Sequence, residues 1–207
     1  MQKKTGTTIV AIKTKEGVVV ASDKRVSSGY TIYSKEGEKI IQITDDIVIA
    51  AAGLYADLQF LAKILSANLK LKELRSGKKS SAKEAASFLS TLMYSRRLLP
   101  YFVEVIVTGK DHNGEYNIYI LDPAGSIIKE DKFMATGSGM MFALGVLESS
   151  YKEDISLEEA KELAKKAVYA ALQRDMGSGD GIEIVTISEK GIERELIKVG
   201  NIEKKIS

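Results

Sequence analysis

Residues 6–26 read GTTIVAIKTKEGVVVASDKRV, and this stretch decides the class of fold. Segments 8–13 and 17–22 are rich in β-branched residues, which favour strands. The sequence TKEG at 14–17 lies between them and is typical of a tight turn. The chain is therefore predicted to begin as a β-hairpin, with Gly6 and Thr7 just before its first strand.

Beyond this hairpin, strand-like and helical patterns of apolar residues alternate. Strands are predicted at 40–43, 47–52, 103–108, 116–121, 181–188 and 193–198, and helices from 54 to about 75, from 81 to before 100, from 139 to 151 and from 156 to about 175. Ser81 and Ser156 each precede a glutamate by three residues, which is the capping-box spacing of a helix start. Hairpin turns such as Asn113-Gly114 predict antiparallel sheets, covered by helix pairs, in a single domain.

The composition excludes several classes of protein and of site. Across 207 residues, 30 Lys and Arg balance 28 Asp and Glu, so the net charge of +2 gives no reason to expect nucleic acid or an anionic membrane as a partner. The chain has no cysteine and one histidine, His112, which excludes thiol nucleophiles and leaves a Cys/His zinc site or a Ser-His-Asp triad hard to build. No apolar window approaches the ~20 residues that span a bilayer, and MQKKTG at the N-terminus lacks an apolar signal core. We therefore expect a cytoplasmic protein without a cofactor or metal, and any catalytic base must be something other than histidine.

Thr7 is the residue whose position suggests chemistry. Removal of residues 1–6 would make it the N-terminus, so that one residue would carry both a hydroxyl nucleophile and an α-amine. An α-amine has a reference pKa of ~7.7–8.0, which is low enough for it to accept the hydroxyl proton near neutral pH. Taken alone, Thr7 is also an ordinary start of a strand, and Asp23 and Lys39 are ordinary surface charges. The hypothesis therefore depends on the motifs around these residues.

Those motifs occur in order along nearly the whole chain after Gly6. They are GTTIVAI at 6–12, SDKRV at 22–26, GEKIIQI at 37–43, AAGLYAD at 51–57, ATGSG at 135–139, GVLESSY at 145–151 and QRDMGSG at 173–179. As a set they are highly specific, and with them the chain closely resembles a proteasome β subunit of the archaeal type. The resemblance implies the N-terminal nucleophile hydrolase fold, which is an α+β, four-layer αββα sandwich of two antiparallel sheets between helix layers. It divides the chain into a short leader at 1–6 and a single protease domain at 7–207.

The same resemblance implies a set of catalytic residues for a threonine endopeptidase. Thr7 corresponds to the family's nucleophile, Asp23 and Lys39 to its acid and lysine, and Gly53 to the glycine whose backbone N–H faces the oxyanion. The supporting residues that match are Ser138, Asp175 and Ser178. Autocatalytic cleavage is expected between Gly6 and Thr7, because glycine removes the side-chain obstacle to attack by the neighbouring hydroxyl.

A substrate pocket is expected from Val26, Ala51, Tyr55 and Gln59. These residues carry no formal charge, which favours cleavage after apolar residues. Tyr55 stands where many relatives have a small residue, so it could narrow or reshape the pocket. Arg25 also matches a family position near the site, with a structural role rather than a chemical one.

The resemblance implies assembly as well: seven-membered β rings flanked by α subunits, a partner ATPase, and unfolded polypeptide as substrate. The alternative is an unprocessed, catalytically silent β subunit with a structural role in a mixed ring, although such a subunit has no need of Asp23 and Lys39. The related bacterial two-component protease has a Gly-Asp-Gly-Gln pattern where this chain has SDKR, and the α subunit carries a helical extension that residues 1–6 cannot supply. The glycine-rich stretch at 177–181 lacks the lysine of a nucleotide-binding loop.

Overall fold

The computed structural model describes residues 6–198 and residue 200. Residues 1–5 of the predicted leader, and residues 199 and 201–207 at the end of the predicted domain, lie outside the described residues. The predicted cleavage site between Gly6 and Thr7 lies within them.

The described part of the chain forms strands and helices in the expected order. The strands are β1 (Thr8–Lys13), β2 (Gly17–Asp23), β3 (Val26–Ser28), β4 (Thr31–Ser34), β5 (Ile40–Gln42), β6 (Ile47–Gly53), β7 (Val103–Lys110), β8 (Tyr116–Leu121), β9 (Ile127–Glu130), β10 (Phe133–Gly137), β11 (Gly181–Ser188) and β12 (Gly191–Lys198). The helices are α1 (Tyr55–Ser76), α2 (Ala82–Ser95), α3 (Met140–Ser150) and α4 (Leu157–Leu172).

The strands pair into two large antiparallel sheets and one small hairpin. The first sheet has the order β10-β1-β2-β11-β12, and the second has the order β5-β6-β7-β8-β9. The short strands β3 and β4 pair only with each other. Helices α3 and α4 cover the first sheet, and α1 and α2 cover the second. This arrangement confirms the predicted four-layer αββα sandwich.

Strand β1 illustrates why the central strands show little polar alternation. Val10 and Ile12 pack towards α3 and α4, whereas Ile9 and Ala11 pack towards the second sheet. All four side chains are fully buried. A strand that is covered on both faces has no solvent side, so its sequence becomes a nearly continuous apolar run.

Several predicted boundaries differ from the structure. Helix α2 ends at Ser95, before the Arg96–Leu99 turn, rather than continuing towards Pro100. Helix α4 ends at Leu172, about three residues before the predicted end near Asp175. Strand β12 starts at Gly191, two residues earlier than predicted.

Four strands had no counterpart in the sequence prediction. They are the pair β3 and β4, the mostly exposed β9, and β10. The first three have only three or four residues each, which is too short for an apolar pattern to be recognised, and β4 and β9 are also mostly exposed. Strand β10 pairs with β1 and not with β9, so the chain crosses from the second sheet to the first between residues 130 and 133.

Candidate active site

Thr7 lies immediately before β1, at the end of the first sheet where β1 meets β10. It is only 4% exposed. Its backbone N–H donates to Ser138 Oγ at 3.0 Å, and its hydroxyl Oγ1 donates to the carbonyl oxygen of Gly6 at 2.6 Å. Gly137 approaches so closely that a Cβ there would lie 2.1 Å from the Thr7 carbonyl oxygen. The backbone around Thr7 is therefore held on both sides by neighbouring chain.

Asp23, the last residue of β2, is fully buried beside Thr7. Its Oδ1 accepts from the backbone N–H of Thr8 at 2.9 Å and from Lys39 Nζ at 2.7 Å. Its Oδ2 accepts from the N–H groups of Arg25 and Gly179 at 3.1 and 3.0 Å. Burial raises the pKa of Asp23, and the Lys39 ammonium and the backbone donors oppose that shift. Because N–H groups approach both oxygens, the ionised carboxylate is the form that this environment accommodates.

Lys39 lies just before β5, in the second sheet, and is 3% exposed. Its ammonium donates to Asp23 and also to the Gly6 carbonyl oxygen, at 3.2 Å. Burial lowers the pKa of Lys39, although the charge of Asp23 works in the opposite direction. One oxygen, that of Gly6, therefore accepts from both the Lys39 ammonium and the Thr7 hydroxyl.

The loop after α4 supplies a second carboxylate. Asp175 Oδ2 accepts from the hydroxyls of Ser138 and Ser178, at 2.5 and 2.6 Å. Ser178 Oγ lies 2.7 Å from Thr8 Oγ1, and Gly177 N–H donates to Asp175 Oδ1 at 3.1 Å. A hydrogen-bonded chain thus runs from the Thr7 backbone nitrogen through Ser138 to Asp175.

Arg25 holds this loop against the rest of the site. Its Nε donates to Asp180 Oδ2 at 2.8 Å, and its NH1 group donates to the Met176 carbonyl at 3.0 Å. Its guanidinium lies flat against Gly179, where a Cβ would come within 2.3 Å of it. Asp180 has a φ of 70°, an unusual backbone conformation for a residue other than glycine. The contacts of Arg25 thus fit the structural role expected for it.

Gly53 lies at the end of β6 with a φ of 135°. A Cβ at this position would lie 2.0 Å from the carbonyl oxygen of Phe102. Both the backbone conformation and the available space therefore require glycine here.

A narrow cleft lies next to Thr7. Its walls include three of the four predicted pocket residues, Val26, Ala51 and Tyr55, and two that were not predicted, Leu54 and Leu58. Gln59 is exposed on α1 and does not line the cleft. It follows Leu58 on the helix, and successive helical residues point about 100° apart. Leu58 could have been found from its position three residues after Tyr55, which places both on one helical face.

The sequence as a whole matches the family model described as proteasome subunit over residues 3–187. The chain belongs to the proteasome subunit family. Curated relatives carry the same family name: proteasome subunit beta 2 of Pyrobaculum arsenaticum is 46% identical over 194 residues, covering 94% of this chain and 95% of the relative. Proteasome subunit beta 2 of Thermofilum pendens is 46% identical over 184 residues, covering 89% of each chain. Proteasome subunit beta of Nanoarchaeum equitans is 45% identical over 188 residues, covering 91% and 96%. These matches confirm the resemblance to archaeal proteasome β subunits.

In this member of the proteasome family, the seven residues expected at the catalytic site lie at one end of the sandwich. Direct hydrogen bonds within this set join Thr7 with Ser138, Asp23 with Lys39, and Asp175 with both Ser138 and Ser178. The sequence missed contributors that act through the backbone, namely the N–H groups of Thr8, Arg25 and Gly179. Such donors carry no residue-type signal, because every residue except proline has one. Among the described helices, none is long and apolar enough to cross a membrane.

Proposed function

We propose that the chain is a threonine endopeptidase subunit of the 20S proteasome core, and that Thr7 is its nucleophile. The observation that carries the proposal is the pair of hydrogen bonds on the Gly6 carbonyl oxygen, from Thr7 Oγ1 and from the buried Lys39 ammonium. A carbonyl that is polarised by an ammonium next to a hydroxyl is set up for nucleophilic attack. The family membership supports the same assignment.

The proposal includes autocatalytic cleavage by an intramolecular acyl shift. Thr7 Oγ1 forms a bond to the Gly6 carbonyl carbon, the Gly6–Thr7 C–N bond breaks, and the hydroxyl proton ends on the released α-amine. Water then hydrolyses the resulting ester, which leaves a carboxylate on Gly6 and regenerates the hydroxyl of Thr7. Attack within one chain avoids the entropy cost of bringing two molecules together.

The freed α-amine then acts as the base for peptide hydrolysis. It accepts the Thr7 hydroxyl proton as the hydroxyl attacks a substrate carbonyl, and it later donates that proton to the leaving amine. The ammonium of Lys39 disfavours protonation of the amine and stabilises developing negative charge on the oxygen. Asp23 keeps Lys39 charged and oriented, and Ser138 with Asp175 orients the amine. We assign the oxyanion to the backbone N–H of Gly53, which lies at the cleft beside Thr7.

The substrate side chain is proposed to enter the cleft beside Thr7. Val26, Ala51, Leu54, Tyr55 and Leu58 give it apolar walls. Two cationic side chains lie at the edge of the cleft, and each forms an ion pair: Lys39 with Asp23, and Arg25 with Asp180. An apolar pocket without an unpaired charge favours cleavage after apolar residues.

The same proposal includes assembly with other β subunits in a seven-membered ring, with α subunits and with a regulatory ATPase. It also includes a cytoplasmic location. Unfolded polypeptides are the proposed substrates.

The alternative of an unprocessed, silent subunit predicts the same fold. It gives no reason for a fully buried Asp23–Lys39 pair, since a buried ion pair is weak evidence for stability.

The proposal is tested by intact-mass measurement and peptidase assay on particles in which this is the only β subunit. We expect the wild-type subunit to lose the mass of residues 1–6 and to hydrolyse peptides. Thr7→Ala and Lys39→Ala should keep the leader and lose at least ~10³-fold in activity, since each removes a member of a unit that acts together. Lys63→Ala, which changes an exposed lysine on α1, is the matched control and should behave as wild type. Peptide hydrolysis by particles that retain the leader on every copy would contradict the mechanism.

A further inference from the structure

Gly6 and Gly177 lie against each other, backbone to backbone. A Cβ built on Gly6 would lie 1.9 Å from Gly177 Cα and 2.4 Å from its carbonyl carbon and oxygen. A Cβ built on Gly177 would lie 2.3 Å from Gly6 Cα. These distances are far below van der Waals contact, and the atoms concerned are backbone, which cannot swing away as the end of a side chain can. Neither position therefore has room for any residue larger than glycine.

Space, rather than a left-handed backbone, accounts for Gly177. This residue is absent from the set of glycines with a left-handed φ, which includes Gly53 and Gly137. An alanine could adopt the same backbone angles as Gly177. Its N–H would still donate to Asp175 Oδ1, because alanine keeps the backbone donor. The constraint on Gly177 comes from the close approach of Gly6.

The contact sets the position of the bond that has to be cut. The backbone of Gly177 packs against the backbone of Gly6. In addition, the Gly6 N–H donates to Ser27 Oγ at 3.4 Å. With the peptide in this place, its carbonyl oxygen reaches Lys39 Nζ at 3.2 Å. Moving Gly6 far enough to accommodate a methyl group on Gly177 would require a shift of about 1 Å or more, because ordinary carbon contacts lie at ~3.5–4.0 Å. Such a shift is large compared with the tolerance of a hydrogen-bonded reacting group.

We propose that Gly177 is a positioning residue for leader removal, through a backbone contact that the processed subunit no longer has. The inference rests on the proposed self-processing at Gly6–Thr7 and adds a residue whose main effect is on that step. After cleavage Gly6 is no longer attached to Thr7. Apart from Gly6, the closest atom to a Cβ on Gly177 is Ser138 Oγ at 3.2 Å, and a shift of a few tenths of an ångström relieves that contact. The backbone clash caused by Gly177→Ala is therefore confined to the precursor, and the processed subunit keeps only the small strain at Ser138.

The test compares Gly177→Ala in two forms of the subunit, each assembled into particles with no other active β subunit. One form is the full chain, and the other is released from a removable fusion so that it begins at Thr7. In the full chain, we expect Gly177→Ala to slow loss of the leader by at least ~10²-fold, as expected for a misplacement of about 1 Å at a reacting group. In the form that begins at Thr7, the same variant should lose less than about tenfold in kcat/KM for a peptide, because only the small strain at Ser138 remains.

Two further variants serve as controls. Gly6→Ala creates the same clash from the other side and should therefore slow processing. Once processed, the enzyme lacks residue 6 and should have wild-type activity. Gly145→Ala, on the exposed side of α3 with open space around its Cβ, should process at the wild-type rate.

Normal processing of full-length Gly177→Ala would overturn the inference and leave the proposed function intact. Equal loss of activity in both forms of Gly177→Ala would also overturn it, since the residue would then act on turnover or on folding. A wild-type subunit that keeps its leader and is inactive would instead refute the proposed function, and this inference with it.

Discussion

Asp23 is the residue of the candidate site that accepts hydrogen bonds from several separate parts of the chain. Three backbone N–H groups and the Lys39 ammonium donate to its two oxygens, and it has no exposure to solvent. The donors come from β1, from the segment after β2, from the loop after α4 and from the start of β5. A single carboxylate therefore ties together four separate parts of the chain, and its charge balances that of Lys39.

We predict that Asp23→Asn is costly for both stability and activity. The amide places an N–H₂ group where an acceptor is needed, and it leaves the buried Lys39 ammonium without a counter-ion. Breaking a buried ion pair from one side costs about 3–5 kcal/mol of the free energy of unfolding. Urea unfolding measures that loss, and peptidase assay should show a decrease of at least ~10²-fold. Asp45→Asn, in the exposed turn between β5 and β6, is the matched control, and a similar effect of both substitutions would argue against a special role for Asp23.

At the scale of elements, the two capping boxes show how local sequence specifies helix starts. Ser81 Oγ accepts from the Glu84 N–H at 3.2 Å, and a Glu84 carboxylate oxygen accepts from the Ser81 N–H at 2.9 Å. Ser156 and Glu159 repeat the arrangement at the start of α4. The two caps differ in their surroundings, because Ser81 is buried and Ser156 is partly exposed.

We predict that Ser81→Ala destabilises the protein more than Ser156→Ala does. Loss of a capping serine costs about 0.5–2 kcal/mol of the free energy of unfolding. The cost is at the upper end of this range where the cap is buried, because water cannot replace the serine as the partner of the backbone N–H. We expect about 1–2 kcal/mol for Ser81→Ala and about 0.5–1 kcal/mol for Ser156→Ala, measured by urea unfolding at a single protein concentration. Equal or reversed costs would show that burial of the cap does not set its contribution.

On the scale of the whole molecule, the two sheets meet in an apolar layer that holds the two halves of the site in register. In the first sheet, Thr7 directly precedes β1 and Asp23 ends β2. In the second sheet, Lys39 directly precedes β5 and Gly53 ends β6. The site therefore straddles the seam between the sheets. Fully buried residues of both sheets pack into this seam, among them Ile9, Val20, Ile106 and Val185.

We predict that Ile106→Ala, in the centre of β7, costs about 2–5 kcal/mol of unfolding free energy, because it removes buried methyl groups and leaves a cavity. For a domain of this size the midpoint of thermal unfolding should fall by roughly 4–20 °C, at 2–4 °C for each kcal/mol. Ile128→Ala on the exposed edge strand β9 is the control, and we expect a change within ~0.5 kcal/mol. A loss at Ile106 no larger than at Ile128 would mean that the layer between the sheets is not a tightly packed core.

The amino-acid sequence by itself determined the elements whose signals are local. The β1–β2 hairpin, the two capping boxes and the spacing of apolar residues in α1 each depend on residues a few positions apart, so their pattern is visible without a fold. The motifs also identified the seven candidate site residues through their resemblance to a known family. Short strands such as β3 and β4 escaped prediction, because three or four residues are too few to show an apolar pattern.

Only the tertiary structure decided how those residues meet. Residues separated by as many as 171 positions, Gly6 and Gly177, come into backbone contact because β1 and the loop after α4 lie at the same end of the sandwich. The three backbone N–H groups that donate to Asp23 leave no mark in the sequence, because nearly every residue has such a group. The pairing of Asp23 with Lys39 likewise depends on the packing of one sheet on the other, which involves the whole apolar layer and cannot be deduced from any single segment.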